Sequence, residues 1–207
     1  MADSTKIILA SSNPGKLREI SAIFADQPYE LVPQSQFNIS DADETGLTFV
    51  ENAIIKARHA AETTGMMAMA DDSGIEVDYL QGAPGIYSAR YAGQPCDNQA
   101  NNDKLLEALQ GVPTEQRTGR FQCVIVLMRH ALDPTPLICT GTWEGVIVEH
   151  ETGANGFGYD PLFYVPTHGC TSAELSPEVK NQLSHRGQAL RELAAKFPGF
   201  LSHGQRD

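Results

Sequence analysis

Strand and helix patterns alternate over the first thirty residues, and this alternation limits the possible folds more than any other feature. The segment KIILA (6–10) is apolar throughout and predicts a buried strand. From Lys16 onward, apolar residues recur at helical spacing, and YELVP (29–33) predicts a second short strand. A strand, a helix and a strand in this order indicate an α/β protein.

A long helix is predicted over TFVENAIIKARHAAETTG. Thr48, with Glu51 three residues later, has the form of a capping box, and Gly65 stands where a C-terminal cap belongs. Asn52 and Lys56 share one face of this helix because they are four residues apart. Glu51 is explained by its capping position, so we give it no catalytic role.

The later patterns predict a mixed sheet with antiparallel pairings. MMAMA (66–70) predicts a strand that ends at DDSG, and a Gly/Pro-rich loop separates it from a helix around Asn98–Leu109. The C-terminal part is helical and broken near Ser184. Further strands are predicted over 120–130, 136–145, 146–150 and 162–165. We therefore predict an α/β fold with flanking helices, with residues 1–207 forming a single domain.

Composition argues against several classes of function. The chain has 207 residues, of which 41% are hydrophobic and 20% charged, as in ordinary globular proteins. Its formal net charge of -11 repels nucleic acids and anionic membranes, so neither is a predicted partner. No apolar segment approaches bilayer length, and the N-terminal MADSTK does not resemble a signal peptide, which predicts a cytoplasmic protein.

The cysteines predict neither disulfides nor a zinc site. They are widely spaced, with no CxxC pair and no histidine at finger spacing. Buried free thiols are the favoured interpretation. The cysteines are Cys96, Cys123, Cys139 and Cys170.

The turn between the first strand and the first helix, SSNPGKL, has some of the chemistry of a phosphate site. It is not a P-loop, because the first glycine is absent and Leu17 follows Lys16. Asn13 suits the N-cap and Pro14 the first helical position, which would leave the helix amides open toward the turn. Amides, hydroxyls and a lysine are donors for a phosphate. Taken alone, however, the stretch favours an ordinary connection with a solvated lysine.

Carboxylates cluster in the stretch MADDSG. Asp71 and Asp72, placed at a strand end, are suited to hold a hard cation such as Mg²⁺ and to orient water. Successive strand side chains point to opposite faces, so only one of them is expected to face a given site. Glu44, in DADETG, is a further carboxylate ahead of the long helix. The alternative interpretation of an isolated DD pair is a polar strand end that caps a turn.

Two later stretches have recognition chemistry. In GANGFGYDPLF, glycines flank Phe157 and Tyr159 and allow a planar ligand to approach the backbone while a ring stacks on it. In KNQLSHRG, the basic residues Lys180, His185 and Arg186 crowd together in an acidic protein. The alternatives are a hairpin loop with core aromatics and a solvated helix junction.

Six stretches, in this order and at these separations, resemble the inosine triphosphate pyrophosphatase family, the pyrophosphatases of non-standard purine nucleoside triphosphates, and especially its bacterial members. They are SSNPGKLREI, ETGLTFVENAIIKA, ADDSGIEV, GAPGIYSARYAG, GFGYDPLF and SHRGQAL. The resemblance extends from about Lys6 to about Leu193. Each motif is weak alone, whereas the six together are specific.

The resemblance implies hydrolysis of ITP, dITP and XTP to the monophosphate and pyrophosphate, with Mg²⁺ as cofactor. Such an activity cleanses the nucleotide pool and prevents incorporation of these nucleotides into DNA and RNA. The resemblance also implies an elongated mixed sheet that forms two lobes around a nucleotide cleft, and a homodimer.

The resemblance further implies a role for each matching residue. Asp72 is the proton acceptor, and Glu44 with Asp72 binds the metal. The chemistry of the reaction adds Lys16 and Lys56 as catalytic residues that neutralise phosphate charge. The residues implied to contact the triphosphate are Ser11, Ser12, Asn13, Pro14, Gly15 and Lys16. Ser73 is implied to contact the substrate. Those implied to bind the rest of the nucleotide are Phe157, Gly158, Tyr159, Asp160, Lys180, His185 and Arg186.

The chemistry of the reaction agrees with these residue types. Attack of water on the α-phosphorus builds negative charge on anionic oxygens, which a cation and lysines offset. A carbonyl at purine C6 accepts from Lys180, His185 or Arg186, whereas the adenine amino group would set donor against donor. A nucleotide-binding module without turnover and a phosphohydrolase that releases orthophosphate stepwise are the rival hypotheses.

Overall fold

The computed structural model describes residues 5–25 and 27–202. Two compact units are built from interleaved segments of the chain. The first contains the chain up to Asp72, residues Cys123–Gly141 and the chain from Arg186 onward. The second contains Ser73–Gln122 and Thr142–His185. The sequence-based expectation about a signal peptide concerns MADSTK, of which residues 1–4 lie outside the described part.

The structure confirms the predicted α/β fold, with a mixed β-sheet and flanking helices. The described strands are hydrogen-bonded in the order β2-β1-β3-β4-β5-β6-β7. Strand β1 is parallel to β2 and β3, whereas β6 is antiparallel to β5 and β7. The strands are β1 (Thr5–Leu9), β2 (Tyr29–Pro33), β3 (Ala68–Val77), β4 (Thr118–Met128), β5 (Leu137–Ile147), β6 (Phe163–Val165) and β7 (Cys170–Thr171). The helices are α1 (Pro14–Phe24), α2 (Phe49–Thr64), α3 (Asn98–Ala108), α4 (Pro177–Leu183) and α5 (His185–Ser202).

Helix boundaries follow the capping residues of the sequence. Thr48 caps α2, with its hydroxyl oxygen accepting from the Glu51 amide, and Gly65 ends the helix in the left-handed conformation at φ 69°. Ser176 caps α4 in the same way, and the C-terminal helical segment breaks at Ser184 as predicted. Local side-chain chemistry therefore sets these boundaries.

The core of the first unit shows the two-residue period of its strands. Ile7 and Leu9 pack on the same face as Met69, against α1 and α5. Ile8 and Ala10 pack on the other face, against α2. Helix α2 contributes only alanines among its fully buried apolar residues, which are Ala53, Ala57, Ala60 and Ala61. Small side chains at these positions allow a helix to pack close to a sheet.

The core of the second unit is aromatic. The ring of Phe121 lies 4.5 Å from that of Phe163 and 4.8 Å from that of His185, measured between centroids. Trp143 packs 5.2 Å from Phe163. Leu105 of helix α3 and Leu109, which caps the end of that helix, belong to the same cluster. Tilted and offset ring pairs at such distances stabilise a core beyond the burial of their area.

Two predictions about strands are wrong in detail, and one strand was missed. Strand β3 does not end at DDSG but continues to Val77, because cationic side chains pair with both aspartates and allow them to be buried within the strand. The segments 136–145 and 146–150 are one strand, β5, that ends at Ile147. Gly145 lies within this strand and does not interrupt it. The position needs a glycine for packing, because a Cβ there would lie 2.5 Å from the Phe163 ring. Strand β7 was not predicted.

The cysteine prediction is confirmed in part. All four cysteines are free, and Cys123 and Cys139 are buried. Cys96 is exposed and Cys170 is partly buried, so the prediction of buried thiols is wrong for these two cysteines. No helix in the described ranges is long and apolar enough to span a membrane.

A buried carboxylate organises the turn between β4 and β5. Asp133 accepts hydrogen bonds from the backbone and guanidinium of Arg129, at 3.0, 2.9 and 2.7 Å, and from the Thr135 amide at 3.0 Å. Burial opposes the charge of Asp133, but the bonds from Arg129 outweigh it and hold the pKa of Asp133 below its ordinary value. This carboxylate therefore stabilises the folded state in its ionised form.

We expect Asp133→Asn to lower the free energy of unfolding by about 2 kcal/mol at pH 7, because a charged acceptor is replaced by a neutral amide. A depressed folded-state pKa stabilises above the unfolded value of about 3.9, and this contribution is lost as the pH falls further. Urea unfolding at pH 7 and near pH 3 checks the difference, which should shrink at the lower pH. Asp103→Asn, at an exposed position of α3, is the control.

Candidate active site

The turn after β1 is fixed by the side chain of Asn13. Its Oδ1 accepts from the amides of Gly15 and Lys16 at 2.9 and 3.1 Å, which confirms Asn13 as the N-cap of α1 with Pro14 at the first position. The expectation that these amides remain open to a phosphate is therefore wrong, because the cap already uses two of them. Ser11 Oγ accepts from the Asn13 amide at 3.3 Å, and Ser12 Oγ donates to Asp41 at 2.9 Å.

Lys16 belongs to a chain of buried charges. Its Nζ lies 2.5 Å from Asp71 Oδ1, and Asp71 Oδ2 accepts from Arg186 Nε at 2.9 Å. The Arg186 guanidinium also pairs with Glu19, which stands three residues after Lys16 on α1. Cys123 Sγ lies 3.1 Å from Asp71 Oδ2. The chain of charges therefore connects α1 to β3 and α5.

A second cluster forms around Lys56. Its Nζ donates to Asp72 Oδ1 at 2.6 Å, to Glu44 Oε1 at 3.1 Å and to the Asp71 carbonyl at 2.8 Å. The Nζ of Lys16 lies 3.4 Å from the same carbonyl oxygen. Both lysines thus reach one point on β3, the carbonyl oxygen of Asp71.

The adjacent aspartates have separate partners, as strand alternation predicted. Asp71 faces Lys16 and Arg186, on the side of α1 and α5, and Asp72 faces Lys56 of α2. Either carboxylate would be unfavourable in the core without its cation. Their electrostatic states differ, although they are neighbours in sequence.

Burial opposes the charge of Asp71, but Arg186 and Lys16 outweigh it and hold the pKa of Asp71 well below its ordinary value. For Asp72, burial is the largest effect and raises the pKa, although Lys56 and Lys16 oppose it. Burial also acts against the charge of Lys56, yet Asp72 and Glu44 together raise the pKa of the lysine. Asp71 is therefore held in its charged form by its cations, whereas the pKa of its neighbour Asp72 is shifted in the opposite direction.

The cluster has oxygen ligands that fit a hard cation. Asp72 Oδ2 is buried and has no hydrogen-bond partner among the described residues. Glu44 and Asp72 converge on the same ammonium group. No group of three or more His, Cys, Asp or Glu side chains within residues 5–25 and 27–202 is arranged as a metal site. Two carboxylates suit Mg²⁺, which commonly takes its other ligands from water and substrate phosphates.

In the second unit, Asp160 organises the Gly-rich loop. Its Oδ2 accepts from the Phe157 amide at 2.8 Å and pairs with Lys180 Nζ at 2.5 Å, and its Oδ1 accepts from Ser172 Oγ at 2.7 Å. The ammonium of Lys180 lies 5.2 Å from the centroid of the Phe157 ring. A Cβ on Gly156 would lie 2.1 Å from Asp160 Oδ2, so this close approach requires glycine. The structure brings Phe157, Asp160 and Lys180 together.

Tyr159 and His185 are both buried in the second unit. Tyr159 is buried and donates its hydroxyl to the Ser88 carbonyl at 2.7 Å, which supports the core-aromatic alternative. His185 is buried against Phe121, with an angle of 11° between the rings. Gly158, between Phe157 and Tyr159, has φ 61° and accepts at its carbonyl from Asn102 at 3.2 Å. Ser73 is partly buried.

Arg186, one of the expected basic trio with Lys180 and His185, has carboxylate partners of its own. That the three residues read the base together stays a prediction. Arg186 is 2% exposed, and its guanidinium is paired with Asp71 and Glu19. Its position therefore favours stabilisation of the Lys16 region over contact with a base.

Sequence reasoning missed the roles of Asp71, Glu19 and Asn102. Glu19 carried a weak signal, because it follows Lys16 at a spacing that places both on one helix face. The pairing of Asp71 with Arg186 joins residues 115 positions apart, and no local pattern could have shown it. Asn102 Nδ2 also contacts Glu151, at 2.9 Å, in a different segment of the chain.

Known proteins resemble the chain over nearly its whole length. A family model described as the Ham1 family matches residues 7–196. A dITP/XTP pyrophosphatase of Vibrio vulnificus is 62% identical over 190 residues, which cover 92% of this chain and 95% of that protein. The structure of a HAM1 protein from Coxiella burnetii matches with a TM-score of 0.87 at 50% identity, over 94% of this chain and 99% of the other. A nucleoside-triphosphatase / dITP/XTP pyrophosphatase from Mycobacterium abscessus matches with a TM-score of 0.73 at 40% identity, over 91% and 98%.

Proposed function

This chain belongs to the Ham1 family, and from that premise we propose that it hydrolyses dITP, ITP and XTP to the nucleoside monophosphate and pyrophosphate. Relatives named dITP/XTP pyrophosphatase support the reaction and the substrate class. The observation that carries the proposal is the state of Asp72. It is a buried carboxylate with one oxygen bound to Lys56 and the other without a hydrogen-bond partner among the described residues.

The proposed mechanism gives each residue of the Lys56 cluster a task. Asp72 orients the attacking water and accepts its proton, and burial, which raises the pKa of Asp72, favours that acceptance. Lys16 and Lys56 offset the charge that develops on the phosphate oxygens. Ser11, Ser12 and the capped turn around Asn13 belong to the same unit as the two lysines. We propose that they contact the triphosphate.

Glu44 and Asp72 are the residues that would hold Mg²⁺. When bound, the ion neutralises the phosphate oxygens and stabilises pyrophosphate as a leaving group. Lys56 already bridges these carboxylates at 3.1 and 2.6 Å, so the ion would share them with an ammonium group. This arrangement requires the substrate to complete the ligand set.

Base recognition is proposed for the Gly-rich loop of the second unit. Phe157 stacks on the purine, and Lys180 donates to the carbonyl at C6, where adenine would present an amino group instead. The support is the 5.2 Å approach of the Lys180 ammonium to the Phe157 ring. Asp160 keeps both groups in place through its bonds to the Phe157 amide and Lys180.

The remaining elements of the proposal concern assembly and location. We infer a homodimer from the resemblance to the family. A cytoplasmic location agrees with the free cysteines and with a substrate that belongs to the nucleotide pool. Gel filtration with light scattering checks the dimer directly.

Product analysis tests the proposed reaction. Incubation with dITP and Mg²⁺, followed by ion-exchange separation, should yield dIMP and pyrophosphate in equal amounts. The formation of dIDP and orthophosphate would indicate a stepwise phosphohydrolase, and intact dITP despite tight binding would indicate a binding module. Either result contradicts the proposal. Parallel reactions with ITP, XTP, GTP and ATP define the base preference.

We expect Phe157→Leu to raise the KM for dITP by about 5- to 140-fold with little change in kcat, because stacking on an aromatic ring contributes about 1–3 kcal/mol per base. The backbone amide that binds Asp160 is retained in this variant. Steady-state kinetics check the effect. Phe37→Leu, at an exposed aromatic position of the first unit, is the control, and an equal change in both variants would argue against stacking.

A further inference from the structure

Asn52 is a buried polar residue with no role in the mechanism so far. It lies on α2, one turn before Lys56, and is completely buried. Its Oδ1 accepts from the Gly46 amide at 2.9 Å. Gly46 follows Glu44 by two residues, so this bond holds the segment that carries one of the carboxylates of the Lys56 cluster.

The segment around Gly46 is packed directly on the start of α2. A Cβ on Gly46 would lie 2.6 Å from Glu51 Cβ and 2.7 Å from Asn52 Oδ1. The next amide, that of Leu47, donates to Glu51 Oε2 at 2.8 Å. Two consecutive amides are therefore held by side chains of the helix, and Asn52 holds the one nearer to Glu44.

The other end of the Asn52 amide has an unmet donor. Its Nδ2 is buried and has no hydrogen-bond partner among residues 5–25 and 27–202. A flipped amide would place this NH₂ group against the Gly46 N–H, so the contact fixes which atom is the donor. Buried polar groups rarely remain unpaired, which indicates that a water or a ligand completes this one.

Asp72 Oδ2 is a complementary acceptor in the same unit. It too is buried without a hydrogen-bond partner in the described part of the chain. Helical side chains lean toward the N-terminus of the helix, so the Lys56 side chain extends back over the turn that holds Asn52 on its way to Glu44 and Asp72. An unmet donor on α2 and an unmet acceptor on β3 therefore occur in the same unit, and one water with two partners would satisfy both.

We propose that Asn52 is a positioning residue of the hydrolytic site. Through Oδ1 it fixes the segment of Glu44, and through Nδ2 it donates to the water that Asp72 Oδ2 accepts from. This water is the one that attacks the phosphorus, so the inference rests on the proposed function. Two changes separate the two contacts: Asn52→Asp keeps an acceptor for the Gly46 amide and removes the donor, whereas Asn52→Leu removes both.

Kinetics of Asn52→Asp test the donor. Loss of one oriented donor is expected to lower kcat for dITP by about 10²-fold, with KM within about threefold of the parent protein. Asn101→Asp is the matched control, since Asn101 is also a buried helical asparagine, bonded only within the second unit. An unchanged kcat overturns the donor role, and a raised KM with unchanged kcat would place the amide on the substrate and not on water.

Hydrogen exchange of the Gly46 amide tests the acceptor without reference to activity. Protection should be retained in Asn52→Asp and lost in Asn52→Leu, while protection elsewhere in α2 is unchanged. Equal protection in the two variants overturns the positioning role. If the parent protein produced no pyrophosphate, the proposed function would fail, whereas the exchange result would still decide whether Asn52 holds the Glu44 segment.

Discussion

Replacing Asp72 with asparagine should lower kcat for dITP by about 10³-fold while leaving binding nearly intact. Positioned proton transfer contributes about 10²–10⁴-fold to a rate, and the amide cannot accept a proton from water. Asparagine retains the shape of the side chain and an oxygen for Lys56, so the cluster around the ammonium remains. Pyrophosphate release measures kcat, and calorimetric titration with dITP measures binding to the slow variant.

The pH dependence of kcat/KM in the parent protein and in Asp72→Asn distinguishes a proton acceptor from a purely structural carboxylate. Because burial raises the pKa of Asp72, its carboxylate is protonated at a higher pH than an ordinary aspartate, and kcat/KM should fall on the acid side as the pH drops through that value. This acid limb should be absent in Asp72→Asn. Asp43→Asn, at an exposed position next to Glu44, is the control and should retain both the kcat of the parent protein and the fall of kcat/KM at acid pH. A parent-like kcat in Asp72→Asn would remove the proposed role.

Local chemistry made much of the first unit predictable. Asn13, Thr48 and Gly65 specify the ends of helices through their own side chains or backbone preferences, and the structure has α1 and α2 where these residues indicate. Strand alternation likewise predicted that Asp71 and Asp72 face different partners. Such features depend on a few neighbouring residues, which a sequence displays directly.

Distant partners explain what the sequence did not show. DDSG looked like the end of a strand because two adjacent carboxylates are unfavourable inside a sheet without counterions. Their cations come from Lys16, Lys56 and Arg186, which are remote along the chain, and these allow β3 to continue. Arg186 likewise looked like one of a basic trio, because its carboxylate partners Glu19 and Asp71 are far from it in the sequence.

Arg186→Ala should destabilise the protein by about 3–5 kcal/mol, because removal of one partner leaves the buried charge of Asp71 uncompensated. Arg186→Lys should recover only part of this, since a lysine ammonium cannot reproduce the planar donor geometry that reaches both Asp71 and Glu19. Urea denaturation measures the loss. Arg58→Ala, at an exposed position of α2, is the control and should change stability by less than about 1 kcal/mol.

The preference for dITP over dATP decides whether Arg186 also reads the base. Its guanidinium is 2% exposed and occupied by two carboxylates, so the ratio of kcat/KM values for the two nucleotides should be unchanged in Arg186→Lys. The same substitution should instead affect kcat, because Asp71 holds Lys16 at 2.5 Å and shares that carboxylate with Arg186. A fall in the preference ratio with stability preserved would return Arg186 to base recognition. A constant ratio leaves the C6 carbonyl to Lys180, whose ammonium lies over the Phe157 ring.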